Sequence, residues 1–241
     1  MNKNMTRNLV LSLLVILPLL SHANEGAHLA KAPINPDNKA SLQRGARVFV
    51  NYCLNCHSAA YMRYNRLKEI GLTEEQIKSN LLLAGEKIGD TMTVAMAKQQ
   101  GKAWFGAAPP DLSVEARARG ADWLYGYLRG FYRDESRPTG WNNIVFDKVA
   151  MPHVLWQLQG VQVLKRAEDA DAEPELVLEK PGSLSPAEYN AMVADLVNYL
   201  VFMSEPAKYQ RLHLGIYVLL FLGLLFVLTY SLKKEFWKDV Q

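Results

Sequence analysis

The sequence predicts a mainly α-helical domain, exported from the cytoplasm and tied to a membrane by one C-terminal helix. Three observations predict it. Apolar residues recur at helical spacing in two delimited stretches, a short apolar run opens the chain, and a longer one closes it. The 241 residues suit one ordinary domain with additions. With 49% hydrophobic and 10% aromatic residues, the chain is neither disordered nor of low complexity. A net charge of +3 with no Lys/Arg stripe gives no support to nucleic-acid binding, and two cysteines exclude a disulfide scaffold.

The first element, residues 1–23, reads as a signal peptide. Lys3 and Arg7 precede a mostly apolar run from Leu9 to Leu20, which ends in Ser21-His22-Ala23. About a dozen apolar residues are too few to cross a bilayer core as a helix. Next, Ser41 to Tyr52 reads as a helix, with Leu42, Ala46 and Phe49 on one stripe. Gly45 within it marks a helix-crossing point, because a mid-helix glycine costs up to ~1 kcal/mol unless close packing offsets it. No assignment is made for Met92 to Gln100. Asp122 to Tyr132 reads as a short aromatic helix. No convincing run of strands appears, although Val161–Leu164 and Leu176–Leu178 could pair as a hairpin. Between those stretches lie Glu168, Asp169, Asp171, Glu173 and Glu175, an acidic loop read first as a solvated surface and second as a device to steer a basic partner. Ser185-Pro186-Ala187-Glu188 is a capping box with proline at the first helical position. It opens a helix carrying Tyr189, Val193, Leu196, Val197 and Leu200. From Leu212 to Leu232 there is no Asp, Glu, Lys or Arg; Tyr217 and Tyr230 lie towards the two ends, and Lys233, Lys234 and Lys238 follow. By the positive-inside rule the tail is cytoplasmic. The expected division is a domain over 24–210, a transmembrane helix over 211–232 and a cytoplasmic tail over 233–241.

Chemistry concentrates in Cys53-Leu54-Asn55-Cys56-His57, which holds both cysteines of the chain. Positions i, i+3 and i+4 face one side of a helical turn. Two thiols so placed reach the two vinyl groups of one porphyrin, and the following imidazole reaches its iron. This is the attachment signature of haem c. A redox C-x-x-C wants a βαβ context and a zinc site wants more ligands. A simple disulfide leaves His57 unexplained.

The iron then needs a sixth ligand or an open site. Candidates are Met62, Met92, Met96, Met151, Met192, Met203, His28, His153 and His213. Met151 leads, because Pro152 disfavours a helix at the preceding residue and suits a loop that presents a thioether. His153 is the runner-up.

At this point the chain resembles the cytochrome c1 family, the membrane-anchored haem subunits of quinol–cytochrome c reductase (cytochrome bc1) complexes, in bacterial form. Four blocks in order carry the resemblance. They are Ser41-Leu42-Gln43-Arg44-Gly45 running into Cys53–His57; Ala108-Pro109-Pro110-Asp111-Leu112-Ser113 with Ala116-Arg117-Ala118-Arg119; Ala150-Met151-Pro152; and the C-terminal span with its basic tail. The resemblance implies a mainly α, class I cytochrome c-like haem domain. It implies Cys53 and Cys56 as thioether sites, and His57 and Met151 as axial ligands. It implies that the Pro109-Pro110 turn packs on the His57 side, where a backbone carbonyl could hold the imidazole, and that Arg119 and Trp123 lie in the haem environment. Arg119 competes there with a reading as a solvated helix face. Trp123 stands where the family often has tyrosine, and Pro152 leads to His153 rather than to further prolines.

The implied role is electron relay. One covalent haem c accepts an electron from the Rieske iron–sulfur protein, itself reduced beside cytochrome b, and passes it to a soluble periplasmic cytochrome c. The chain is then no enzyme by itself but a redox subunit within a dimeric complex of the bacterial inner membrane. Two other readings stay open: a membrane-anchored cytochrome c of an oxidase or denitrification complex, and a haem enzyme such as a peroxidase.

Overall fold

The computed structural model describes residues 29–165 and 175–239. The signal segment, His28 and the acidic residues 168–173 lie outside them. The helices are α1 (Lys39–Val48), α2 (Glu74–Asn80), α3 (Lys98–Phe105), α4 (Glu115–Arg119), α5 (Ala121–Arg129), α6 (Trp156–Gln159), α7 (Pro186–Ser204) and α8 (Lys208–Phe236). A π-turn over Phe49–Cys53 prolongs α1, and a 3₁₀ turn covers Tyr64–Ile70.

The domain is organised around the crossing of α1 and α7. A side chain at Gly45 would put its Cβ 2.1 Å from the Asp195 carbonyl oxygen and 2.7 Å from the Tyr199 Cβ, so glycine is what lets the backbones touch. Around this point Arg44 grips Asp195 with two hydrogen bonds, of 2.5 and 2.9 Å. The Asn198 amide donates to the Asn35 carbonyl and to Ser41 Oγ. Leu42, Ala46, Phe49, Tyr189, Val193, Leu196, Val197 and Leu200 are all buried in this seam. The expected capping box is present, with Ser185 Oγ accepting from the Glu188 N–H and the Glu188 carboxylate accepting from the Ser185 N–H. Helices α4 and α5 pack on α7, and Tyr189 fixes α5 by donating from its hydroxyl to the Leu128 carbonyl at 2.8 Å.

Three sequence expectations change. The helix expected over Ser41 to Tyr52 begins at Lys39 and turns into a π-turn at Phe49, where the Leu54 N–H reaches back five residues to the Phe49 carbonyl. The helix expected over Asp122 to Tyr132 stops at Arg129. Gly130 ends it, and Phe131–Arg133 (β3) pairs antiparallel with Trp141–Asn143 (β4). Strands are also more numerous than expected, because short ladders close non-local loops that carry no clear alternation. Ala59–Arg63 (β1) pairs with Thr91–Met92 (β2), and the foreseen hairpin forms between Gly160–Lys165 (β5) and Glu175–Pro181 (β6). In the hairpin Val163 faces Val177 and Leu164 faces Leu176. The unassigned stretch from Met92 supplies the end of β2 and the start of α3, with Met92 fully buried as core.

Helix α8 leaves the domain after Pro206. Its segment Arg211–Phe236, 26 residues, is long and apolar enough to cross a membrane, and none of it is buried within the molecule.

Candidate functional site

One cleft, of about 1230 Å³ with its open mouth, gathers eight of the residues that the sequence singled out. Cys53, Cys56, His57, Pro109, Pro110, Arg119, Trp123 and Met151 all line it. Leu112, Leu124, Leu128, Leu196 and Leu200 complete largely apolar walls. Helix α7, through Leu196 and Leu200, and the π-turn that prolongs α1, through Tyr52 and Cys53, therefore carry the seam into the wall of the cleft.

Cys53 ends the π-turn, and the next residues wind back on it. The N–H groups of Cys56 and His57 both donate to the Cys53 carbonyl, at 3.0 and 2.9 Å. That is the helical turn expected of the motif. Desolvation, with a smaller push from Cys56, drives the Cys53 thiol up to about 12, and desolvation also raises Cys56. Both sulfurs are thiols at neutral pH, which does not suit a thiolate exchange centre.

The His57 imidazole has one nitrogen committed. Its Nδ1 lies 2.8 Å from the Pro110 carbonyl, an acceptor only, so Nδ1 carries the proton and Nε2 keeps its lone pair. Desolvation lowers its pKa against the opposing pull of Pro110, Glu115 and Asp111, and the ring is neutral at pH 7. The Pro110 loop is itself tied down. The Asp111 carboxylate accepts from the Ala60 and Ser113 N–H groups at 2.9 and 2.8 Å, and Ser113 Oγ accepts from the Tyr61 N–H at 3.0 Å. Desolvation pulls the Asp111 carboxyl upward, but these hydrogen bonds outweigh it, and the group titrates below its ordinary value. Gly101 also contributes, since a Cβ there would meet Pro109 Cδ at 2.6 Å.

The Met151 side is built from aromatic rings. Tyr127 stacks on Trp123 with centroids 4.9 Å apart and meets the Phe131 ring edge-on at 5.1 Å. Its hydroxyl donates to the Met151 Sδ at 3.4 Å. Burial pushes the phenol pKa upward, so it is a proton donor at any physiological pH. Arg119 pairs with Glu115 at 3.1 Å and lies over Trp123, 4.7 Å from the ring centroid.

His153 is not on the cleft. It is 2% exposed, stacked on Phe131 at 4.8 Å and met edge-on by Trp141. Desolvation holds it neutral, with a pKa pushed down to about 4. Among the described residues Met151 is the only methionine, and His57 the only histidine, that lines the cleft. Met62, Met92 and Met203 are core, and His213 lies in α8. Sequence reasoning gave no role to Tyr127, Glu115, Asp111 or Ser113. A signal for the first existed, since Arg119, Trp123 and Tyr127 recur every four residues.

These residues fit a c-type haem. Two thiols, an imidazole with a free Nε2, a thioether and apolar walls share one cleft, which is the donor set such a group requires.

The Cytochrome C1 family model matches residues 30–240. The chain is 52% identical to a Nitrosomonas europaea protein named ammonia monooxygenase gamma subunit, over 98% of this chain and 99% of that one. It is 47% identical to cytochrome c1 of Allochromatium vinosum, over 97% and 99% of the two chains. Identity to the mitochondrial cytochrome c1 haem protein of Saccharomyces cerevisiae is 26%, over 91% and 74%. With the family model spanning the cleft and the C-terminal helix alike, and near end-to-end identity to a bacterial member, this chain belongs to the cytochrome c1 family.

Proposed function

We propose that this chain takes single electrons from a Rieske iron–sulfur protein and hands them to a soluble periplasmic cytochrome c. Membership of the cytochrome c1 family makes it a haem c protein with an electron-transfer role in the cytochrome bc1 complex. The observation that supports the residue assignment best is that Cys53, Cys56, His57 and Met151 line one apolar cleft.

In this reading Cys53 and Cys56 would hold the macrocycle through thioethers, and His57 Nε2 and Met151 Sδ would hold its iron. When bound, the haem supplies a one-electron ferric–ferrous couple. The Pro110 carbonyl orients His57 and keeps Nε2 free to coordinate. With Met151 as the second donor the iron would have no open site for a substrate, and the chain would carry electrons without making or breaking a substrate bond. It is a redox subunit and no enzyme by itself. Apolar walls exclude water and keep solvent reorganisation small. Arg119 and Trp123 would offer a propionate a cation and an indole N–H, Arg119 through a charge-assisted contact. Pro109 and Pro110 form the wall on the His57 side.

The proposed topology removes residues 1–23 as a signal peptide and leaves 24–210 in the periplasm. Residues 211–232 cross the inner membrane, and 233–241 lie in the cytoplasm. Cytochrome b is the membrane partner, within a dimeric complex. The family match does not favour an oxidase or denitrification complex.

The test is purification of the full chain in detergent through a C-terminal tag, followed by quinol addition while the haem c absorbance is read. Rapid reduction, with b-type haem and an iron–sulfur protein in the same fraction, is expected. A haem c that ignores quinol and copurifies with an oxidase or an ammonia monooxygenase would overturn the proposal.

A further inference from the structure

We infer that Tyr127 is a positioning residue that acts on the iron through Met151, raising the haem potential by hydrogen-bonding the axial thioether. The inference rests on Met151 being the sixth ligand. A thioether sulfur has two lone pairs. One accepts the Tyr127 hydroxyl at 3.4 Å, and the other would be left for the iron.

The donor is held on every side. Its ring lies between Trp123, stacked within 10° of parallel, and the edge of Phe131. Its backbone carbonyl accepts from the Asn143 side-chain amide at 2.7 Å, and Asn143 is 1% exposed. Asn143 in turn caps the following loop by accepting from the Val145 N–H at 2.9 Å. A phenol fixed in this way chooses which sulfur lone pair is left for the iron. It also draws electron density from the sulfur, and a poorer donor stabilises ferric iron less than ferrous iron. The potential rises accordingly.

The chain contains its own control. Tyr199 is a second buried tyrosine whose hydroxyl reaches a methionine sulfur, Met92 Sδ at 3.7 Å, and neither residue lines the cleft. Tyr127→Phe and Tyr199→Phe each delete one hydroxyl and keep the ring. The experiment is a redox titration of the full-length haem-loaded protein in detergent. The charge-transfer band of methionine-ligated ferric haem is recorded on the same samples.

For Tyr127→Phe the expected result is a retained band with an equilibrium shifted about three- to tenfold toward the ferric state; tenfold is 59 mV for one electron. Tyr199→Phe is expected to leave the potential where it was. A retained band with unchanged potential in Tyr127→Phe would overturn the inference, as would an equal drop in both variants. If the unmodified protein lacks the band, the ligand reading itself fails, and this role of Tyr127 falls with it.

Discussion

The two residues proposed as iron ligands stand on sides of the cleft that are made in different ways. His57 is fixed by backbone: its Nδ1 meets the Pro110 carbonyl, and that carbonyl belongs to a loop pinned by Asp111 and Ser113 to the strand beginning at Ala59. Met151 is fixed by side chains: a phenol on its sulfur, and behind that phenol a run of rings from Trp123 through Tyr127 and Phe131 to His153. A backbone acceptor cannot be changed by substituting a single residue, except through the loop that carries it. A side-chain donor is replaceable at one position. The His57 side is therefore suited to constancy, and the Met151 side to adjustment.

Three substitutions sharpen this contrast. The largest redox effect is expected from Met151→Leu. The potential should fall by well over the 59 mV of a tenfold shift, while haem remains covalently bound on a denaturing gel. An unchanged potential would assign the sixth ligand elsewhere. Next, Gly45→Val strikes what both sides share, the seam of α1 and α7. With the Asp195 carbonyl 2.1 Å from the new Cβ, a loss of roughly 3 kcal/mol or more is expected in denaturant melts. A loss under 1 kcal/mol would show that the helices can part without cost.

The smallest effect belongs to the His57 side alone. Asp111 has a folded pKa below its unfolded one, so its contribution is present above about pH 4 and is lost as pH falls through the folded value. Asp111→Asn should remove about 1 kcal/mol at pH 7 and flatten the acid limb of the stability curve. An acid limb identical to that of the unmodified chain would exclude Asp111 as its source.

What the sequence made legible follows the same division. The haem motif, the proline turn and the capping box are contiguous, and each works through local backbone geometry that a reader can follow residue by residue. The α1–α7 crossing was legible because an interior glycine without a close neighbour is a net cost. The ring stack was not. Trp123 was expected in the haem environment, but Tyr127 was given no role there, and only the fold brings Phe131 and His153 into the same run of rings from separate elements. The short ladders escaped for a related reason. Strands of two to five residues carry little period, and their partners lie up to 33 residues away, as Ala59 and Met92 do. His153 competed for the iron on paper because sequence adjacency to Met151 says nothing about which neighbour faces the cleft.

The π-turn at Phe49–Cys53 has a mechanical meaning. On an uninterrupted α-helix Leu42, Ala46, Phe49 and Cys53 would form one continuous row, and the first cysteine would point into the seam with Tyr199. One extra residue in the turn works like a slipped gear tooth and rotates everything after it by about 100°. Structural and cofactor-holding positions on one continuous rod thereby acquire separate phases. A substitution that reshapes the seam then need not turn the cofactor-holding residues away from the cleft.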